Sequence, residues 1–164
     1  MKKYELTEET KVIGGKTLFR IRALRSFGDI KAGDLGGFIE NERNLSHEGN
    51  AWVSGDARVD GDARVDGDAW VDGDAWVDGN AQVSGDGLIN SNNDYLCEKG
   101  LGSHNRSASF FKCKDGHIHV LCGCFDGNLD EFENKVKKEH GNSKYAKEYL
   151  GFIEVVKTHF EVRQ

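Results

Sequence analysis

Apolar and polar positions alternate with great regularity through the middle of the chain. From Ala51 to Asp86, AWVSGDARVDGDARVDGDAWVDGDAWVDGNAQVSGD, a six-residue phrase recurs. Ala and Val stand two apart with a changing residue between them, and Gly-Asp or Gly-Asn closes each unit. Alternation at a period of two marks a strand whose successive side chains point to opposite faces. Gly, Asp and Asn accept the turn conformations that other residues resist. The phrase therefore predicts short strands joined by tight corners and stacked as equivalent units. Ala51, Ala57, Ala63, Ala69, Ala75 and Ala81, with Val53, Val59, Val65, Val71, Val77, Val83 and Ile89, take the inward positions. Such small and β-branched side chains fill a narrow interior without voids.

The phrase resembles the hexapeptide repeat of left-handed β-helix proteins, in which three hexapeptides make one triangular coil. That resemblance implies a short left-handed parallel β-helix of about three coils over residues 38–92, with register held from Asn50 to Ile89 and a degenerate start near Phe38. Leu45 falls in the Ala slot and Ile39 one step before it. Three hexapeptides per coil would set Trp52 under Trp70, Arg58 under Trp76 and Arg64 under Gln82, all facing outward. Such ladders either stiffen the repeat or, as exposed tryptophans, mark a contact surface.

The flanks carry other patterns. TLFRIRAL alternates, with Phe19, Ile21 and Ala23 on one face and Arg20 and Arg22 on the other. Gly14-Gly15 ahead of it reads as a hairpin turn from a strand around Val12 and Ile13, so residues 1–37 form an N-terminal β cap. After Asn92, SASFFKCKDGHIHVLCGCF reads as a hairpin about Asp115-Gly116 with Ile118, Val120, Cys122 and Cys124 on one face. Asn128 with Glu131 forms a capping box for a helix that buries Leu129, Phe132 and Val136 and stops at Gly141. Ser143 opens a second helix with an apolar stripe of Tyr145, Tyr149, Phe152, Ile153, Val156 and Phe160. Residues 93–164 thus read as an α+β module of ββαα type, and the fold class as mainly β.

Charge changes the picture in one respect. The chain of 164 residues has a formal net charge of -6, but its N-terminal segment is locally basic and its repeat acidic. Phosphates would be repelled by the acidic repeat, which excludes direct nucleic-acid binding there and favours a basic partner. No apolar run approaches the length of a membrane helix, and MKKYELTEET turns acidic where a signal peptide would be apolar. A cytoplasmic protein, in the cytosol of a host cell, is expected, with no membrane partner.

The run RIRALRSFGDIKAGDLGGFIENERNLSHEGNAWV resembles the opening of uncharacterised phage, prophage and bacterial hexapeptide-repeat proteins, some labelled acetyltransferases. The resemblance implies a mobile-element origin and brings no known active site. A non-enzymatic protein that blocks a host protein, as in counter-defence against an immune nuclease, is the leading expectation. Trp52, Trp70, Trp76, Arg58, Asp60, Asp72 and Asp78 are its candidate contacts. A homo-oligomer, dimer or trimer, is expected as well.

Three kinds of chemistry compete with that reading. In GLGSHNR, Ser103, His104 and Arg106 on a Gly-rich loop offer a cradle for a nucleotide or other small ligand, although the loop also serves as a plain linker. The resemblance to hexapeptide-repeat proteins implies that acyl transfer would use a histidine base, and the only histidine in or beside the coils is His47, in an inward slot. Cys97, Cys113, Cys122 and Cys124, with His117 and His119, invite zinc, but the chain has a Cys-x-Cys and no Cys-x-x-Cys knuckle. Those thiols read as small hydrophobes, so neither a metal nor a cofactor is expected.

Overall fold

The computed structural model describes residues 1–163 and divides into two compact units, Met1–Asn92 and Asn93–Gln164. In the first unit, β1 (Tyr4–Ile13) and β2 (Lys16–Ala23) form an antiparallel hairpin about Gly14-Gly15. β3 (Leu35–Ile39) adds antiparallel to β2. The hairpin's alternation slips, because the β1–β2 register shifts between Leu6 and Thr10 and the β2–β3 register between Arg20 and Arg22. The extra residues of both shifts lie on β1 and β3. Along β2, Leu18 is buried with Ile21 and Ala23, and Phe19 is only partly so.

The repeat contributes strands of two residues: β4 (Trp52–Val53), β5 (Arg58–Val59), β6 (Arg64–Val65), β7 (Trp70–Val71), β8 (Trp76–Val77), β9 (Gln82–Val83) and β10 (Leu88–Ile89). They pair in parallel, Trp52 with Trp70, Arg58 with Trp76 and Arg64 with Gln82. All the Ala and Val positions predicted to face inward are 0–1% exposed. Upstream the register differs: Ile39 pairs with Val59 and Leu45 bridges Val65, so both fill Val slots, contrary to the slots expected for them.

The expected fold class, a short left-handed β-helix with a separate cap, is corrected. The chain is mainly β with several separate sheets and two C-terminal helices, and no single left-handed solenoid is found among the described residues. The sheets are a mixed one ordered β1-β2-β3-β5-β8, parallel ones ordered β10-β7-β4 and β6-β9, and an antiparallel one in the second unit. The physical reason is edge pairing. Instead of closing off an independent prism, the N-terminal hairpin donates β3 to the free edge of β5, where the Phe38 N–H meets the Ala57 carbonyl at 2.9 Å.

The hairpin also buries Lys3. Its ammonium donates to the Ala51 carbonyl at 2.7 Å, with the Glu48 and Gly49 carbonyls at 3.4 and 3.5 Å. Burial, reinforced by Arg25, lowers the Lys3 pKa from 10.5 to about 8. Between those values the unfolded chain binds the proton that the folded chain has released, so stability rises with pH there. The rise ends near pH 10.0, the ordinary value for tyrosine, because the Tyr4 phenol is raised by burial and its contribution is lost above that pH. Urea denaturation is expected to show a midpoint that climbs from about pH 8 to about pH 10, and Lys3→Met to flatten the climb.

The second unit holds β11 (Tyr95–Leu101), β12 (Arg106–Lys112), β13 (Ile118–Cys122) and β14 (Phe125–Asn128), antiparallel in that order, then α1 (Leu129–His140) and α2 (Lys144–His159). It is ββββαα, not ββαα. YLCEKGL and FDGN lack clean alternation and become strands only by pairing with β12 and β13. The helix caps are as predicted: Asn128 and Glu131 close a capping box, Gly141 ends α1, and the Ser143 hydroxyl accepts from the Ala146 N–H. One sheet face and both helices enclose Phe110, Val120, Phe132, Tyr149, Ile153 and Val156. No helix among the described residues is long and apolar enough to cross a membrane.

Candidate functional site

On the repeat, the structure separates residues that the pattern placed together. Trp52 is corrected from an outward contact to a core residue, 1% exposed, because Phe27 and Tyr4 close over it with ring centroids 5.3 and 6.4 Å away. Asp60 is corrected in the same way. It is 3% exposed, accepts from the Lys16 ammonium at 2.7 Å and from the Trp76 indole N–H at 2.5 Å. Trp70, Trp76, Arg58, Asp72 and Asp78 keep partial exposure. The Arg58 guanidinium lies 4.8 Å from the Trp76 ring centre, the expected stack, which contributes about 0.5–1 kcal/mol at an exposed site. Trp76, Lys16, Asp60 and Asp78 then line a shallow groove of about 440 Å³.

The acidic corners find their basic partners within the first unit. Lys11 pairs with Asp56 at 2.9 Å, Lys16 with Asp60 at 2.7 Å and Arg43 with Asp62 at 3.3 Å. The polarised charge is in this way neutralised in cis, which offsets the repulsion between stacked carboxylates. His47, the one histidine before residue 93, stacks on Tyr4 at 4.2 Å, and its Nδ1 accepts from the Lys3 N–H. Burial lowers its pKa, against the pull of Glu42. It is a packed residue and no exposed base.

In the second unit the fold does bring predicted residues together. Gly100–Arg106 comprises the end of β11, the turn at 102–105 and the start of β12, not a linker, and it carries Ser103, His104 and Arg106 to one cleft of about 300 Å³. The cleft is completed by Cys122 at the end of β13 and Cys124 in the turn after it, by Lys135, Glu139 and His140 from α1, and by Tyr149 from α2. Two glycines shape it. A Cβ on Gly102, at φ +70°, would fall on the Tyr149 ring, and one on Gly123, at φ +62°, would collide with the Arg106 guanidinium. Arg106 thus lies across the bare backbone of the β13–β14 turn.

The electrostatics of the cleft are simple. Burial raises the Tyr149 pKa to about 12 and pushes the Cys122 thiol up, so both stay protonated at neutral pH. Lys135 is paired with Glu139 at 2.8 Å. No carboxylate pairs with Arg106 among the described residues. Its guanidinium lines the cleft together with the Ser103 hydroxyl and the His104 and His140 rings. Sequence reasoning missed Lys135, Glu139, His140 and Tyr149, since nothing local marks a helix face as the wall of a cleft that a distant turn completes.

The cysteines disperse. Cys124, expected on the apolar face of β13, is exposed in the turn after it, while Cys122 is buried and faces the core. Cys113 alone stays beside His117 and His119, on the β12–β13 hairpin.

No known protein-family model matches the chain. A stretch of 61 residues is 39% identical to a curated protein described as the uncharacterized acetyltransferase YdcK of Escherichia coli (strain K12). The match takes in 32% of this chain and 19% of that protein, so the chain spans about a fifth of the length of its curated relative.

Proposed function

We propose that the protein binds a small anionic molecule, phosphate-bearing or carboxylate-bearing, in the cleft of its second unit. The observation that carries this reading is the Arg106 guanidinium, which faces a cleft of about 300 Å³ without a carboxylate partner among the described residues. A planar guanidinium with a neighbouring hydroxyl matches a tetrahedral or carboxylate oxyanion through paired hydrogen bonds. Ser103 and His104, held together at 3.0 Å, stand on the same turn as Arg106, so a bound anion would order that turn. The action is sequestration: the lining offers charge and hydrogen bonds, and its Tyr149 and Cys122 stay protonated.

Isothermal titration and amide chemical-shift mapping with inorganic phosphate, a nucleoside monophosphate and the uncharged nucleoside test the proposal. Saturable binding by the phosphorylated compounds is expected, with shifts at Ser103 and Arg106. Arg106→Ala is expected to weaken binding at least ~10-fold, in line with about 1.5–3 kcal/mol for a charged hydrogen bond. Shifts elsewhere, or an unchanged affinity in Arg106→Ala, overturn it.

A second reading is favoured by the printed name of the relative, an acetyltransferase. Coenzyme A carries phosphates, so it belongs in the same titration, and transfer of a labelled acetyl group from acetyl-coenzyme A would move the assignment from sequestration to enzyme. Obstruction of a host protein by the repeat face would have to rest on Arg58, Trp70, Trp76, Asp72 and Asp78, since Trp52 and Asp60 lie inside.

A further inference from the structure

The hairpin formed by β12 and β13 gathers chemistry that the anion cleft does not use. Cys113 follows the end of β12, and its N–H donates to the His117 carbonyl at 3.0 Å across the turn Lys114–Gly116. Residues opposed in an antiparallel pair share a face, and so do residues two apart on one strand. The Cys113 thiol, the His117 imidazole and the His119 imidazole therefore converge, and one donor atom from each lies within 4.8 Å of the others. The pattern is Cys-x-x-x-His-x-His, in which strand pairing rather than a loop knuckle sets the spacing.

The two imidazoles are oriented from behind. His117 Nδ1 is 2.5 Å from the Asp115 carboxylate, and His119 Nε2 is 2.6 Å from the Asp126 carboxylate. A carboxylate at that distance takes the ring's N–H and leaves the other nitrogen with its lone pair. The nitrogens left over, His117 Nε2 and His119 Nδ1, face each other at 3.3 Å. Two lone pairs so placed repel unless something positive stands between them. A separation of about 3.3 Å is also the edge expected between two nitrogens of a tetrahedral metal with bonds of about 2.0–2.1 Å. Histidine metal ligands commonly donate their second N–H to a carboxylate, the arrangement present twice here.

We propose that Cys113, His117 and His119 bind a divalent transition metal of zinc type, with Asp115 and Asp126 as supporting carboxylates and the fourth coordination position left to solvent or a ligand. One thiolate and two imidazoles suit Zn(II) and its spectroscopic substitute Co(II), and do not suit Mg(II) or Ca(II). Cys113 is 5% exposed, whereas the His117 and His119 side chains keep 39% and 21% of their surface open, which provides a route of entry. Metal binding would tie β12 to β13 at the turn end of their hairpin.

The test is Co(II) titration of chelator-treated full-length protein, followed by displacement with Zn(II). One Co(II) per chain is expected, with a thiolate-to-cobalt charge-transfer band and the intense visible absorption of tetrahedral cobalt. Cys113→Ser should abolish the charge-transfer band, and Cys124→Ser, which removes the exposed thiol, should leave it intact. His117→Ala, an exposed change that leaves the core alone, should remove saturable binding, and Asp126→Asn should weaken it about 10–100-fold. Absence of the band, or its loss in Cys124→Ser but not in Cys113→Ser, overturns the proposal. Phosphate binding in the cleft should persist in His117→Ala, so failure of one site is distinguishable from failure of the other.

Discussion

Trp52→Ala is expected to lower the unfolding free energy of the first unit by about 3–5 kcal/mol, the range for truncating a buried aromatic. The indole is 1% exposed and sits edge-on to Phe27 and Tyr4. Its removal opens a cavity at the join between hairpin and repeat. Gly36 belongs to the same contact, because a Cβ there would lie 2.7 Å from Trp52 Cζ2. Trp70→Ala changes the same slot one ladder step on, but the ring is only partly buried, and a much smaller loss is expected. Urea denaturation of both variants checks the contrast. Equal losses would mean that the hairpin does not seal Trp52.

Gly37→Ala is expected to cost about 3 kcal/mol, at the upper end for overpacking. A Cβ at this position would meet the Ala57 carbonyl oxygen at 2.5 Å and Val53 Cγ1 at 2.7 Å, with the Ser54 carbonyl at 3.1 Å. Two of these are backbone atoms and cannot rotate away. The Ala57 carbonyl is the one that accepts from the Phe38 N–H, so the methyl group would push apart the ladder that joins β3 to β5. Amide exchange should then show loss of protection at Phe38 and Glu40, together with a lower denaturation midpoint. Retained protection at Phe38 would show that the strand absorbs the methyl group by shifting.

The charge arrangement bears on how the repeat is used. Lys11, Lys16 and Arg43 already occupy carboxylates that a basic partner would need. The exposed pairs Lys11–Asp56 and Arg43–Asp62 contribute little stability, but all three lower the field the repeat presents to solvent. What the repeat still offers is the Arg58–Trp76 stack, Trp70 and the remaining corners, a smaller surface than the alternation pattern suggests.

The sequence by itself determined the inward Ala and Val positions, the glycine corners, the Gly14-Gly15 hairpin and both helix caps. These are local: a period of two, a left-handed φ or an Asn three residues before a Glu leaves its mark within a few residues. It also marked Ser103, His104 and Arg106 as one cluster, since they share a turn. Only the tertiary structure decided which face of the repeat was available. Outward on a strand means exposed only if nothing covers it, and Trp52 and Asp60 are covered by a hairpin some forty residues earlier in the chain. The same long-range pairing made the sheets separate and mixed in place of one continuous helix of strands. Within the second unit, packing set α1 and α2 against the Arg106 turn, and β12–β13 pairing turned a spacing that failed as a zinc knuckle into three donors on one face, because strand pairing brings side chains together at separations that no local spacing rule records.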